Sequence, residues 1–342
     1  MSAGTAPRLQ LQVGTEQWPL RVPFRITGQT TVALDIIVVT LTRNGITGRG
    51  EAAGVDYRGD DIPGMLAQLE AARPVIEAGV TRADLPGLLG PGGARNALDC
   101  ALWELEARQA RRPVWQLAGL KQPRPLLTTC TIGADGAAAM AARSLEFPDA
   151  QAIKLKLTGE PEDAGRVRAV RAARPAVWLG VDANRGFSRA HLRELMPVLV
   201  AAGVALIEQP FAMGAEPTLA ELQSPIPVAA DESAQVTEDL PRLVGRFNVI
   251  NIKLEKCGGL TEGLRMAAAA QSLGFDVMIG NMVGTSLAMA PAFLVGQYCR
   301  VVDLDGPLLL AGDRTPCASY ADGFLHCDER VWGYHPNHGD VA

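Results

Sequence analysis

The sequence predicts an α/β protein: a parallel (β/α) barrel preceded by a smaller α+β domain. Three observations carry that prediction. From about Leu126 onward, eight apolar runs of strand length alternate with stretches of helical composition. Five of those runs end in charged groups: Ala152-Ile-Lys154-Leu-Lys156, Val181-Asp182-Ala-Asn184, Ile207-Glu208-Gln209-Pro210, Ala230-Asp231-Glu232-Ser233 and Val249-Ile-Asn251-Ile-Lys253. The steps between the charges are 26 residues (Lys156 to Asp182), 26 (to Glu208), 23 (to Asp231) and 22 (to Lys253). One strand, one helix and two short loops need about that many residues, so successive charges fall at the C-terminal ends of successive parallel strands. In a barrel those ends converge on one mouth.

In chain order, the first 120 or so residues lack this period. Residues 32–41 (VALDIIVVTL) read as a strand rich in β-branched residues. Arg43-Asn44-Gly45 marks a tight turn, and 47–52 begin a partner strand. A helix is predicted over 63–78, closed by Gly79, and a Gly/Pro-rich break spans 87–93. Residues 94–108 (ARNALDCALWELEAR) predict an amphipathic helix, with Leu98, Leu102 and Leu105 at helical spacing. The barrel strands are predicted at 126–132, 152–157, 177–182, 204–208, 226–230, 248–254, 276–280 and 301–304. Helices fall between most of them, at 162–173, 189–202, 216–223 and 261–273, with Gly203 and Gly274 at helix ends. The last segment, 318–342, is polar and turn-rich and suited to return to the first domain.

Composition excludes several classes of function. The chain has 342 residues, 48% apolar and 20% charged, with a formal net charge of −5. No basic stripe argues for nucleic acid, and no run of about 18 apolar residues argues for a membrane span. The N-terminal residues Met1 to Arg8 lack the apolar core of a signal peptide. Six cysteines (100, 130, 257, 299, 317, 327) include no CxxC pair and read as the reduced thiols of a cytoplasmic protein.

The charged strand ends are the candidate site. Any one of Asp182, Glu208 and Asp231 alone also reads as a solvated strand-end carboxylate. Together they follow apolar strands in consecutive βα units, and three close carboxylates repel unless a cation neutralises them or their pKa values rise. An all-oxygen donor set suits Mg²⁺, and no His or Cys at a matching strand end points to zinc. Lys154 and Lys156, two residues apart, aim to one side of their strand; Lys253 lies roughly opposite in the ring. Crowded cations are expected to depress a lysine's pKa into the range useful for proton transfer. With Mg²⁺ on a substrate carboxylate, a lysine on each face removes an α-proton from one side and returns it from the other. Asp303 and Asp305 end the last strand on one face; they read either as an Asx turn or as a dock for a cationic group. Gly258, Gly259, Gly280 and Gly284 suit turns after strands. The histidines (191, 326, 335, 338) read as surface residues, and neither Ser233 nor Ser286 has a partner His.

These residues resemble the enolase superfamily, and within it the muconate lactonizing branch. The resemblance covers essentially the whole chain and includes Arg95-Asn-Ala-Leu-Asp-Cys-Ala-Leu-Trp-Glu104 and Asn251-Ile-Lys-Leu-Glu-Lys-Cys-Gly-Gly-Leu-Thr-Glu262. It implies a (β/α)7β TIM-like barrel (residues 123–317), an α+β N-terminal capping domain (1–122) and a C-terminal segment (318–342) that completes the cap. Within the branch the chain is similar to dipeptide epimerases of the L-Ala-D/L-Glu type, through Asp303-Leu-Asp305-Gly-Pro307 and Met278-Ile-Gly-Asn-Met-Val-Gly-Thr-Ser286. That similarity implies Lys156 and Lys253 as acid/base groups and Asp182, Glu208 and Asp231 as ligands of one Mg²⁺ per subunit. It places Lys154 at the substrate carboxylate, Asp303 and Asp305 at the dipeptide ammonium, and Thr129, Asn281 and Met282 against the substrate. Members often form homo-oligomers. Glutamate-selective members carry an arginine in the cap loop after a Pro-Phe pair; here Gln29 sits near that position, with Arg25 close by. Rival expectations on the same site are an o-succinylbenzoate synthase or muconate-type lyase or cycloisomerase, and a barrel that only binds a small acid.

Overall fold

The computed structural model describes residues 8–336. The N-terminal part is an antiparallel meander of β1 (Gln10–Ile26), β2 (Gln29–Arg43) and β3 (Ile46–Ala52). Asn44 and Gly45 both have positive φ (55° and 77°), as a two-residue hairpin turn between right-twisted strands requires. β1 escaped the sequence reading. Gly14, Pro19 and Pro23 interrupt it, its register shifts between Pro19 and Phe24, and much of it faces solvent, so it carries little apolar signal.

Two helices cover the meander. Ile62–Gly79 starts at Asp61, whose side chain accepts from the Gly64 N–H at 2.8 Å. Gly93–Ala110 is not the amphipathic helix expected: nearly every residue from Gly93 to Leu105 is buried. One side packs on the meander, where Gly48 and Gly50 permit the approach. A Cβ at Gly50 would lie 2.0 Å from the Ala97 carbonyl oxygen, and one at Gly48 2.1 Å from that of Ala101. The other side faces the barrel. There Asp99 accepts from the Thr261 N–H and hydroxyl (2.9 and 2.6 Å), and Arg95 donates to the Cys257 carbonyl at 2.5 Å.

The barrel is an eight-stranded parallel sheet in sequential order. Its strands are β5 (Thr129–Ile132), β6 (Ala152–Lys156), β7 (Trp178–Asp182), β8 (Val204–Glu208), β9 (Val228–Ala230), β10 (Val249–Ile252), β11 (Asp276–Ile279) and β12 (Val301–Val302). Helices on the outside include Ala137–Leu145, Asp163–Ala173, Arg189–Ala201, Leu260–Ser272 and Ser286–Gly296. The largest apolar cluster lies between these helices and the strands. The strand expected over 126–132 is split at Thr128. Its first part, β4 (Leu126–Leu127), leaves the barrel and pairs with the hairpin β13 (Ser319–Ala321) and β14 (Phe324–His326). Beyond that hairpin the chain meets the cap: Trp332 Nε1 donates to the Arg49 carbonyl at 3.0 Å, and Gly333 N–H to Glu104 at 3.1 Å. Among the described residues no helix is long and apolar enough to cross a membrane.

Candidate active site

Strand register sets the site. Lys156 of β6 pairs with Asp182 of β7, which pairs with Glu208 of β8, so three charged side chains stand in a row. Asp231 follows the end of β9, and Lys253 follows β10, four strands from β6 in a ring of eight. Lys156 and Lys253 therefore rise from opposite walls. All five side chains are buried, the three carboxylates at most 2% exposed.

Lysines and carboxylates interlock. Lys156 donates to Asp182 at 2.5 Å and Lys253 to Asp231 at 2.8 Å. Lys154 donates to Glu208 at 3.0 Å and to Asp303. The expected depression does not occur at Lys154 or Lys253. Burial opposes the charge of Lys154, but Asp303, Glu208 and Asp182 outweigh it and raise its pKa well above the usual value. Lys253 is likewise raised, with burial outweighed by Asp231 and Glu208. The sequence reading counted lysines near lysines; in the folded barrel each ammonium meets carboxylates first.

The converse holds for the acids. Burial, then the neighbouring Asp182, pushes Glu208 up to about 7. Burial and Asp231 push Glu232 up to about 8. Burial would also raise Asp231, but Lys253 and Lys256 hold it far below the usual carboxylate range. Lys256 was missed by the sequence reading. It lies in the helical turn Leu254–Cys257, three residues after Lys253, and donates to Asp231 Oδ1 at 2.6 Å.

Among the described residues, no three acidic, histidine or cysteine side chains are drawn together tightly enough to hold an ion as they stand; ammonium groups lie against the same oxygens. The donor chemistry nonetheless fits a hard divalent cation. Asp182, Glu208 and Asp231 supply only oxygen from adjacent strands, and burial, with Asp182 beside it, makes the charged form of Glu208 costly in the absence of a cation. Asn251 donates to Glu208 at 2.6 Å, and its own Oδ1 is buried without a partner.

The predicted substrate-side residues gather at the seam of the ring. Thr129 Oγ1 donates to Asp303 at 2.5 Å, Thr131 N–H donates to Asp305 at 2.5 Å, and the Asn281 amide donates to the Asp303 carbonyl. Burial would raise Asp303, but Lys154 beside it and Thr129 hold its carboxyl below the usual range. Asp305 is pushed up to about 6 by burial and by Asp303. Met282 is half-buried in the loop after β11.

Two cap loops cover the mouth. Thr27 donates to the carbonyls of Leu157 (3.1 Å) and Ala183 (3.0 Å), just beyond β6 and β7. Tyr57 is half-buried, with the Arg185 guanidinium 4.8 Å from its ring centroid. Gln29 bridges the loops, its amide donating to Asp56 at 2.9 Å, while the Arg25 side chain is exposed. His191 is not the surface residue expected: it is half-buried, 3.1 Å from Asp163. His338 lies outside the described residues.

A capped barrel with carboxylates on three adjacent strands, and lysines facing one another across them, defines an enzyme of the enolase type. Residues 135–329 match the "Enolase C-terminal domain-like" family, and residues 8–119 match the "Mandelate racemase / muconate lactonizing enzyme, N-terminal domain". The chain belongs to the mandelate racemase/muconate lactonizing enzyme family of the enolase superfamily. It is 37% identical to an L-Ala-D/L-Glu epimerase of Escherichia coli (strain K12) over 318 residues, covering 92% of this chain and 99% of that one. It is 44% identical to an N-acetyl-D-glutamate racemase of Pseudoalteromonas sp. over 251 residues (73% and 79%). A crystal structure of an enolase family member from Agrobacterium tumefaciens with homology to dipeptide epimerases carries sodium and L-Ala-L-Glu. It superposes with a TM-score of 0.92 at 40% identity, covering 95% and 100% of the two chains.

Proposed function

We propose that this protein is an isomerase, a Mg²⁺-dependent dipeptide epimerase that inverts the α-carbon of the second residue by two-base 1,1-proton transfer. The observation that carries this reading is the placement of Lys156 and Lys253 on opposite walls, with Asp182, Glu208 and Asp231 between them. Those three carboxylates would hold the ion, which when bound places positive charge beside the substrate carboxylate as the α-proton leaves. Lys154, a cation whose charge is fixed by three carboxylates, binds the substrate carboxylate and orients it. One of Lys156 and Lys253 takes the α-proton while the other, protonated, delivers one to the opposite face. A lysine serves as base only once its carboxylate partner is engaged elsewhere, so each ion pair is a resting state of the acid/base group. Asp303 and Asp305 take the substrate ammonium, with Thr129 and Asn281 fixing the dock and Met282 lining the side-chain pocket. The division into cap (1–122), barrel (123–317) and C-terminal segment (318–342) belongs to this reading, supported by the return of Trp332 and Gly333 to the cap. A cytoplasmic location is supported by six free cysteines.

The test is α-proton exchange in D₂O with Mg²⁺ over a panel of dipeptides. Exchange with at least one free-amine dipeptide is expected, with inversion lost in Lys156→Ala and in Lys253→Ala and any residual exchange confined to opposite epimers in the two variants; no exchange with any dipeptide removes the reading. A second reading, an N-acylamino acid racemase, is favoured by the hold that Lys154 and Thr129 already have on Asp303. It predicts that N-acetylglutamate outcompetes L-Ala-L-Glu and that Asp305→Asn leaves turnover intact, whereas the dipeptide reading predicts the reverse. A lyase or cycloisomerase would show net loss of substrate rather than isotope-labelled epimer.

A further inference from the structure

The loop Gly280 to Ser286, which carries Asn281 and Met282, is clamped at its far end by residues from outside the barrel. Glu51, in β3 of the cap and 2% exposed, accepts from the Thr285 N–H at 2.8 Å and from the Thr285 hydroxyl. Arg314 donates to the same Glu51 carboxylate (3.0 Å), to Thr285 Oγ1 (2.8 Å) and to Glu16 of β1 (2.7 Å). Its neighbour Asp313 accepts from the N–H and hydroxyl of Ser286 at 3.0 and 2.5 Å. The near end of the loop is wedged against the Asp303–Asp305 turn. A Cβ at Gly306 would meet Asn281 Oδ1 at 2.8 Å and the Gly284 backbone at 2.9 Å. The loop is therefore held between a partly buried ionic strut and the turn that carries both seam carboxylates.

We infer that Glu51 and Arg314 are positioning residues that set, from the cap, the placement of Asn281 and of the Asp303–Asp305 end of the pocket. This rests on the dipeptide reading for what the pocket binds, not for the strut itself. The strut touches none of Asp182, Glu208, Asp231, Lys156 or Lys253, so it governs where the substrate amine sits rather than the ion or the proton transfers. Neutralising it should loosen one end of the pocket and leave the other intact.

The test uses Glu51→Gln, Arg314→Met and the conservative Arg314→Lys in the full-length protein. On the dipeptide the wild type turns over best, KM is expected to rise about tenfold in the first two variants with kcat kept within about twofold. Arg314→Lys should recover most of the loss. Mg²⁺ affinity by calorimetry should match wild type. Backbone hydrogen exchange should quicken in 280–286 and 303–306 and not in 152–156 or 204–208. Unchanged exchange in 280–286 overturns the inference whatever the substrate proves to be. So does a parallel loss of kcat, Mg²⁺ affinity and protection throughout the barrel, which marks a merely structural role. Failure of the dipeptide reading shows separately, as a wild type inactive on every dipeptide with the exchange pattern as expected.

Discussion

Replacing Lys256 with methionine should destabilise the protein far more than replacing Lys253, although both lysines pair with Asp231. The Lys256 ammonium is buried and spends all three N–H bonds inside the fold: on Asp231 Oδ1 (2.6 Å), the Asp231 carbonyl (2.5 Å) and the Asn251 carbonyl (3.0 Å). Lys253 makes one such bond, to Asp231 Oδ2 at 2.8 Å. Asp231 keeps one lysine in either variant, so the loss at the ion pair itself is about 1–2 kcal/mol in both. Each carbonyl left without its donor adds about 1–3 kcal/mol. These losses overlap, because one relaxation of the β9 end serves all three acceptors, so the expected cost of Lys256→Met is about 5 kcal/mol. Methionine keeps most of the lysine stem, so a cavity contributes little. In Lys253→Met, Asp231 keeps Lys256, and the expected cost is about 1–2 kcal/mol. Urea unfolding followed by circular dichroism measures both, and the thermal midpoint of Lys256→Met should fall by about 7 °C. If Lys256→Met lies within about 1 kcal/mol of wild type, or Lys253→Met costs as much, the division between a structural and an acid/base lysine is wrong.

Asp99 makes stability depend on pH. Burial pushes its carboxyl up to about 6, against the hydrogen bonds from Thr261. As pH rises from about 4 to about 6 the unfolded chain ionises at this residue while the folded one does not, so stability is lost over that window, by about 3 kcal/mol at most. Asp99→Asn should remove this slope; parallel stability-versus-pH curves for wild type and variant would refute it. Gly50→Ala forces a methyl into the Ala97 carbonyl and should cost about 3 kcal/mol, read as a fall in thermal midpoint. An unchanged midpoint would show that the meander does not seat on that helix so closely.

Legibility followed sequence distance and the number of partners. Asp182, Glu208 and Lys253 were readable because each ends an apolar run whose period fixes where the next begins. The cap hairpin was readable from Asn44-Gly45, where only one class of turn fits. Lys256 was not, since it leaves the strand pattern for one helical turn and its role lies in what it touches. Glu51 and Thr285, 234 residues apart, share no local signal at all. Lys154 and Lys253 are raised rather than depressed for a related reason. Spacing along the chain shows that Lys154 and Lys156 are near each other, but only the lateral register shows that Asp182 and Glu208 stand closer in effect. Gly93–Ala110 looked amphipathic because its small residues, Ala94, Ala97 and Ala101, do not register as a second apolar face; packing against the meander makes them one.

The seam of the barrel joins the fold to specificity. β12 has two residues, too few to close the ring by backbone ladder alone, and side chains take over: Thr128 Oγ1 accepts from the Leu304 N–H at 3.0 Å, while Asp303 and Asp305 bind Thr129 and Thr131 across the gap. Carboxylates at this place are therefore demanded by closure before any ligand arrives. Asp303 is already neutralised by Lys154, so an incoming ammonium gains little from it. Asp305 has no lysine of its own, and burial next to Asp303 pushes it up to about 6. A cation brought beside it relieves that strain and is bound more tightly for doing so. Recognition of a free amine should accordingly draw more on Asp305 than on Asp303, which also holds the wall in place.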